Sequence, residues 1–192
     1  KEERTSLMAI LKLKPGIRVS LTSICSKIDV GIGISSKCFN TLSIVDIAMV
    51  CKTSNKIETI WYGNPASEEN FAYDDTINCN GSSWDDDDLR VVIDFTKVPD
   101  NLEKISIVTS FFLGGTGDLG KIEHGYMKVY NHENREVLYE QDDIDWRMLD
   151  GKKGIIWCEI YKHQDAWKLK CVGISVDTEN LGETCKKAAS YL

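Results

Sequence analysis

Four consecutive aspartates, Asp85-Asp86-Asp87-Asp88, follow the turn-forming run Asn78-Cys79-Asn80-Gly81-Ser82-Ser83 and the bulky Trp84. They end where an apolar run, Leu89–Phe95, begins. Two carboxylates about 4 Å apart repel by about 1 kcal/mol in water and about 4 kcal/mol at the effective dielectric of a protein surface. A hard divalent cation reverses that sign. Calcium takes oxygen from carboxylates, amide carbonyls and backbone carbonyls, which this stretch supplies. The residues alone are equally compatible with a solvated acidic loop. Asp74 and Asp75 stand just upstream and can face the run, whereas Asp46 and Asp118 are more distant carboxylates. The acids are consecutive, not alternating, and no helices flank them, so this is no EF-hand.

Other chemistries have less support. His124, His132 and His163 are the only histidines, and none has metal-ligand spacing from another. A single histidine at a strand end is most simply a surface or hydrogen-bonded residue. No Gly-x-Ser-x-Gly elbow occurs, and the glycines between 114 and 120 lack the Lys-Ser/Thr ending of a phosphate loop. Glu159 lies within a strand-like run. It reads as a structural partner of Lys or Arg across a sheet in preference to a glycosidase acid. The expectation is a protein that is not an enzyme.

The seven cysteines, at positions 25, 38, 51, 79, 158, 171 and 185, form no Cys-x-x-Cys pair. Their odd number and irregular spacing predict reduced thiols, with Cys158 and Cys171 buried. The chain has 192 residues, 28% of them charged, and a net charge of −7. An acidic balance argues against nucleic acid and against anionic membrane surfaces. No apolar run reaches the length of a membrane helix, and Leu7–Leu11 is too short for a signal-peptide core. A cytoplasmic protein is expected.

The elements that must position the acids are short strands. Arg18–Leu21, Asp29–Ile34, Ile44–Cys51, Thr59–Tyr62, Leu89–Phe95, Lys104–Phe112, Gly125–Tyr130 and Val137–Tyr139 alternate or run apolar, with turn residues between them. Gly31 and Gly33 fall on one face of their strand, a sign of close approach by another group. Ala66–Asn80 reads as loop. Gly154–Tyr161 and Trp167–Ile174 flank His163-Gln164-Asp165-Ala166 as a hairpin. Only Asn180–Leu192 has helical spacing. About ten short strands and one terminal helix predict an all-β, two-sheet β-sandwich with a short C-terminal helix. One domain over residues 1–192 is expected, with 1–17 an N-terminal extension and 180–192 the helix.

Four segments resemble the TerD-like tellurium-resistance family, over about Val19 to Tyr191. They are Val30-Gly31-Ile32-Gly33, Ile93-Asp94-Phe95-Thr96-Lys97-Val98-Pro99, Leu119–Ile122 with Tyr126–Asn131, and the pair Cys158–His163 and Trp167–Gly173. The last pair is the most specific, similar to that family's Gly-Glu-Leu-Tyr-Arg-His and Trp-Lys-Phe-x-Ala-Val-Gly hairpin. Laid on the family's calcium loop, Asn78, Asn80 and Gly81 match its Asn, Thr and first Gly, and Asp86, Asp87 and Asp88 its closing acids. Ile77 stands where its first Asp belongs, Ser83 and Asp85 replace glycines, and Val45 takes the acidic position of an early strand, with Asp46 one residue on. Asp75 or Asp74 is the expected substitute.

The resemblance thus implies a calcium set of Asn78, Asn80, Asp86, Asp87, Asp88 and Asp75. The departures predict weakened binding, one site in place of two, or its loss. The resemblance also implies a non-enzymatic stress-response module, working with other proteins of an assembly that include a membrane partner. The alternative is a β-sandwich that binds a small polar ligand, such as a cyclic nucleotide, with a degenerate metal loop. A concave aromatic patch around Trp61, Trp84 or Trp146 would mark it.

Overall fold

A computed structural model describes residues 10–35, 45–78, 87–111 and 118–191. Among the described residues twelve strands form two six-stranded sheets, in place of the ten or so expected. In chain order they are β1 (Leu11–Lys12), β2 (Arg18–Ser20), β3 (Lys27–Ser35), β4 (Val45–Thr53), β5 (Ile57–Ile60), β6 (Ala72–Asp74), β7 (Leu89–Asp94), β8 (Leu102–Phe111), β9 (His124–Asn131), β10 (Val137–Gln141), β11 (Gly154–His163) and β12 (Ala166–Val176). Helix α1 spans Leu181–Ser190. Sheet one has the order β1-β10-β9-β3-β7-β6, and sheet two β2-β12-β11-β8-β4-β5.

The period-2 alternation of the strands sends one set of side chains between the sheets. Val30, Ile32, Val91, Ile93, Met127 and Val129 of sheet one meet Ile47, Met49, Ile105, Ile107, Trp157 and Leu169 of sheet two in a single buried cluster. A second cluster lies on the far side of sheet two. There Ala48, Val50, Val108, Ile156 and Val172 are covered by Cys185 and Ala188 of α1. The helix begins at Asn180, whose side chain accepts from the Glu183 N–H at 3.0 Å, while the Glu183 carboxylate accepts from the Glu179 N–H at 2.9 Å. Together they satisfy donors that a helix start leaves open.

Two expectations are corrected in detail. Ala66–Asn80 is not all loop, because Ala72–Asp74 pairs with β7. The last hairpin is tighter than expected: His163 and Ala166 are paired, so Gln164 and Asp165 alone make the turn, with Gln164 at φ +57°. Within the expected extension, Leu11 and Lys12 pair in parallel with Tyr139 and Glu140, and Leu13 is buried.

Candidate functional site

Asp87 and Asp88 enter β7 at the foot of the acidic run. Asp87 is 2% exposed. It lies against the outer face of sheet one, directly over Gly31. A Cβ at Gly31 would stand 1.9 Å from Asp87 Oδ2. Two residues along the same face, a Cβ at Gly33 would stand 2.3 Å from the Tyr126 ring. The glycine alternation therefore exists to admit a carboxylate and a phenol onto the sheet. The Tyr130 hydroxyl donates to Asp87 Oδ1 at 3.0 Å. Arg90, itself buried, places Nη2 3.6 Å from Asp87 Oδ2 and Nη1 3.8 Å from Asp75 Oδ2. One guanidinium thus balances two carboxylates.

Asp88 is fixed differently. Its N–H donates to the Ile32 carbonyl at 2.9 Å, and its Oδ2 accepts from the Ile34 N–H at 2.7 Å. Both contacts lie at the end of the β3–β7 ladder, whose last pair is Ile32 with Leu89. Asp74 Oδ1 accepts from the Thr76 N–H at 2.9 Å, a local turn contact. Of the sequence-derived set, the structure brings Asp75, Asp87 and Asp88 to one rim. The backbone of Asn78 closes a short 3₁₀ turn there. Asn80 and Asp86 lie outside the described residues, as does Trp84.

The set fits calcium only in part. Asp87 and Asp75 already face a cation of the chain's own, Arg90, which would repel a metal placed between them. Among the described residues no three His, Cys, Asp or Glu side chains gather as a metal centre would need.

Sequence reasoning missed a second ionic cluster on this face. Asp29, fully buried, accepts Arg135 on Oδ2 and sits 2.6 Å from His132 Nδ1 on Oδ1. His132 is thus a hydrogen-bonded strand-end histidine. Glu159 on β11 is held by Lys104 at 2.8 Å and Lys170 at 3.5 Å, the cross-sheet pairing that its place in the strand predicted. Cys158 and Cys171 are buried opposite each other as free thiols, and burial pushes both thiols up, Cys171 to about 12.

A cavity lies elsewhere, on the outer face of sheet two. It measures about 740 Å³ between β4, β5 and the first turns of α1. Trp61, Tyr62, Leu181, Cys185 and Ala189 line it, together with Asp46. Val45 points into the inter-sheet core, so Asp46 takes the opposite face, as the one-residue offset requires. Burial, then the nearby Asp74 charge, raises the Asp46 carboxyl above its usual range. Trp146, by contrast, is a core residue 5.8 Å from Trp157.

A model of the TerD domain matches residues 8–187. The chain belongs to the TerD domain family. It is 27% identical to the stress response protein SCP2 of Bacillus subtilis over 124 residues, 64% of this chain and 61% of that protein. It thus spans less than two thirds of SCP2. It is 25% identical to the chemical-damaging agent resistance protein B of Clostridium acetobutylicum over 121 residues, 62% of this chain and 85% of that protein. Similarity to the general stress protein 16U of B. subtilis runs longer, 24% over 177 residues, covering 85% and 89% of the two chains. A crystal structure of a homologue of the telluride resistance protein TerD from Streptomyces coelicolor superposes with a TM-score of 0.67 at 9% identity. It covers 86% of this chain and 98% of that one, so the two share the fold over that part. No helix among the described residues is long and apolar enough to cross a membrane.

Proposed function

We propose that this TerD-domain protein is a non-enzymatic, cytoplasmic stress-response module whose acidic loop, Asn78–Asp88, takes up calcium weakly and thereby orders a surface for partner proteins, a membrane protein among them. The observation that carries the reading is the anchoring of Asp88 to Ile32 and Ile34. One main-chain and one side-chain contact hold Asp88, the foot of the run, against β3. In this reading Asp88, together with oxygens of residues 78–86, would meet the ion. A bound calcium would supply charge neutralisation for carboxylates that otherwise repel. The names of the relatives, which speak of stress response and resistance to chemical damage, support the biological setting.

The non-enzymatic part of the reading is supported by Glu159. Two ammonium groups hold its carboxylate in place, which suits a structural acid better than a proton shuttle.

Calorimetric titration with calcium, alongside thermal unfolding with calcium or chelator, tests the proposal. A dissociation constant of about 10⁻⁴ to 10⁻³ M is expected, with a melting temperature that rises as calcium is added. Asp88→Asn keeps an acceptor for the Ile34 N–H and should lower the calcium-linked rise without unfolding the chain. No heat and an unchanged melting temperature at millimolar calcium would refute the calcium reading.

A further inference from the structure

The cavity on sheet two is a built pocket. The turn that carries its aromatic wall is closed by paired contacts: the Trp61 N–H donates to the Asn64 carbonyl at 3.1 Å and the Asn64 N–H to the Trp61 carbonyl at 2.8 Å. The Asn64 side chain adds a bond to the Thr59 carbonyl at 2.9 Å. Gly63 lets the indole lie across the turn, since a Cβ there would come within 2.7 Å of the ring. Trp61 and Tyr62 meet edge to face, with centroids 4.5 Å apart. Holding a Tyr 61% exposed beside a Trp in a locked turn does little for the core.

The lining also carries charge. The Asp46 side chain is half-buried and makes no hydrogen bond or ion pair among the described residues. Burial without a partner costs a carboxylate, and Asp74 adds repulsion instead of relief. Lys186 also borders the pocket but is exposed on α1. The positive end of α1 is occupied by Asn180 and by the Glu183 carboxylate. The inner charge of the pocket is therefore negative. Its volume of about 740 Å³ lies within the about 300–1,000 Å³ of ordinary small-molecule sites.

We propose that this pocket binds a small organic cation, an amine or quaternary ammonium on a flat apolar body, with the positive nitrogen at Asp46 and the body against Trp61, Tyr62 and Leu181. Aromatic faces attract cations and apolar bodies alike, and the carboxylate chooses between a cation and its neutral analogue. An anionic ligand such as a cyclic nucleotide is disfavoured by Asp46 and Asp74. The site shares no residue with the acidic loop and does not depend on calcium.

Three probes of one shape test the proposal: phenethylamine, 2-phenylethanol and phenylacetate. Each is titrated into the full chain in the presence of a chelator, followed by saturation-transfer NMR and by tryptophan fluorescence. Phenethylamine should bind about tenfold tighter than 2-phenylethanol, with phenylacetate weakest. Asp46→Asn should bring the amine down to the level of the alcohol and leave the alcohol within about twofold, and Trp61→Ala should weaken all three. The proposal is overturned if the three probes bind alike, if phenylacetate binds best, if none binds at millimolar concentration, or if Asp46→Asn leaves the preference for the amine intact.

Discussion

Asp87 rests on Gly31, so closely that a single methyl group on Gly31 would lie 1.9 Å from its carboxylate oxygen. A strand residue without a side chain and a buried acid from the far end of the loop thus form one unit. Tyr130 and Arg90 close it from either side.

Gly31→Ala must therefore push Asp87 off the sheet and away from Tyr130. Forcing an extra methyl into packed structure costs about 1–3 kcal/mol. For a chain of this length that is a fall in melting temperature of about 2–4 °C for each kcal/mol. Asp87→Ala removes the clashing group but takes one carboxylate away from Arg90. The double variant should be more stable than the sum of the two single losses, because the clash cannot be suffered twice. Urea unfolding of the four proteins measures the coupling; strict additivity would mean that the two residues do not touch in solution.

Glu159 lends itself to a similar cycle. Removing it by Glu159→Leu leaves Lys104 buried beside an apolar side chain. Breaking a buried ion pair from one side costs about 3–5 kcal/mol. Lys104→Met in the same chain removes the orphaned charge, and the double variant should recover most of the loss. Lys104 also donates to the Tyr191 carbonyl at 2.5 Å, just past the end of α1. The single variant Lys104→Met should therefore also loosen the helix end, seen as faster amide exchange at residues 188–191 than in Glu159→Leu.

What the sequence told, and what it hid, follows from the range of the forces involved. The hairpin of β11 and β12 was legible because its partners are neighbours in the chain and its alternation is strong. The closeness implied by Gly31 and Gly33 was legible too, although the occupants Asp87 and Tyr126 were not. β6 was missed because three residues, Ala72–Asp74, owe their extended form to β7 and not to their own pattern. Arg90 was read as one residue of an apolar strand. Its charge inside Leu89–Phe95 was the available sign that a buried acid waited nearby. Asp29, His132 and Arg135 converge over a separation of about a hundred residues, which no local rule reads. The pocket has the same character, since Asp46, Trp61 and Leu181 meet only once sheet two and α1 are assembled.

The pH dependence of Asp46 gives a last test that needs no ligand. Its folded carboxyl titrates above the ordinary 3.8, through burial first and Asp74 second, with Lys186 exposed on the facing helix. The folded chain therefore holds that proton more tightly than the unfolded chain. Below the unfolded value both states are protonated and Asp46 costs nothing. As pH rises from that value through the raised folded one, the unfolded state gains charge more readily, and Asp46 destabilises the fold. Above the folded value the penalty is constant. Asp46→Asn removes the titration, so it should melt higher than the parent at pH 7 and converge with it below about pH 4. Melting curves taken across that range in chelator would show it. A variant that is less stable than the parent at neutral pH would mean that the Asp46 carboxylate has a partner in solution, and the pocket would lose the charge that selects a cation.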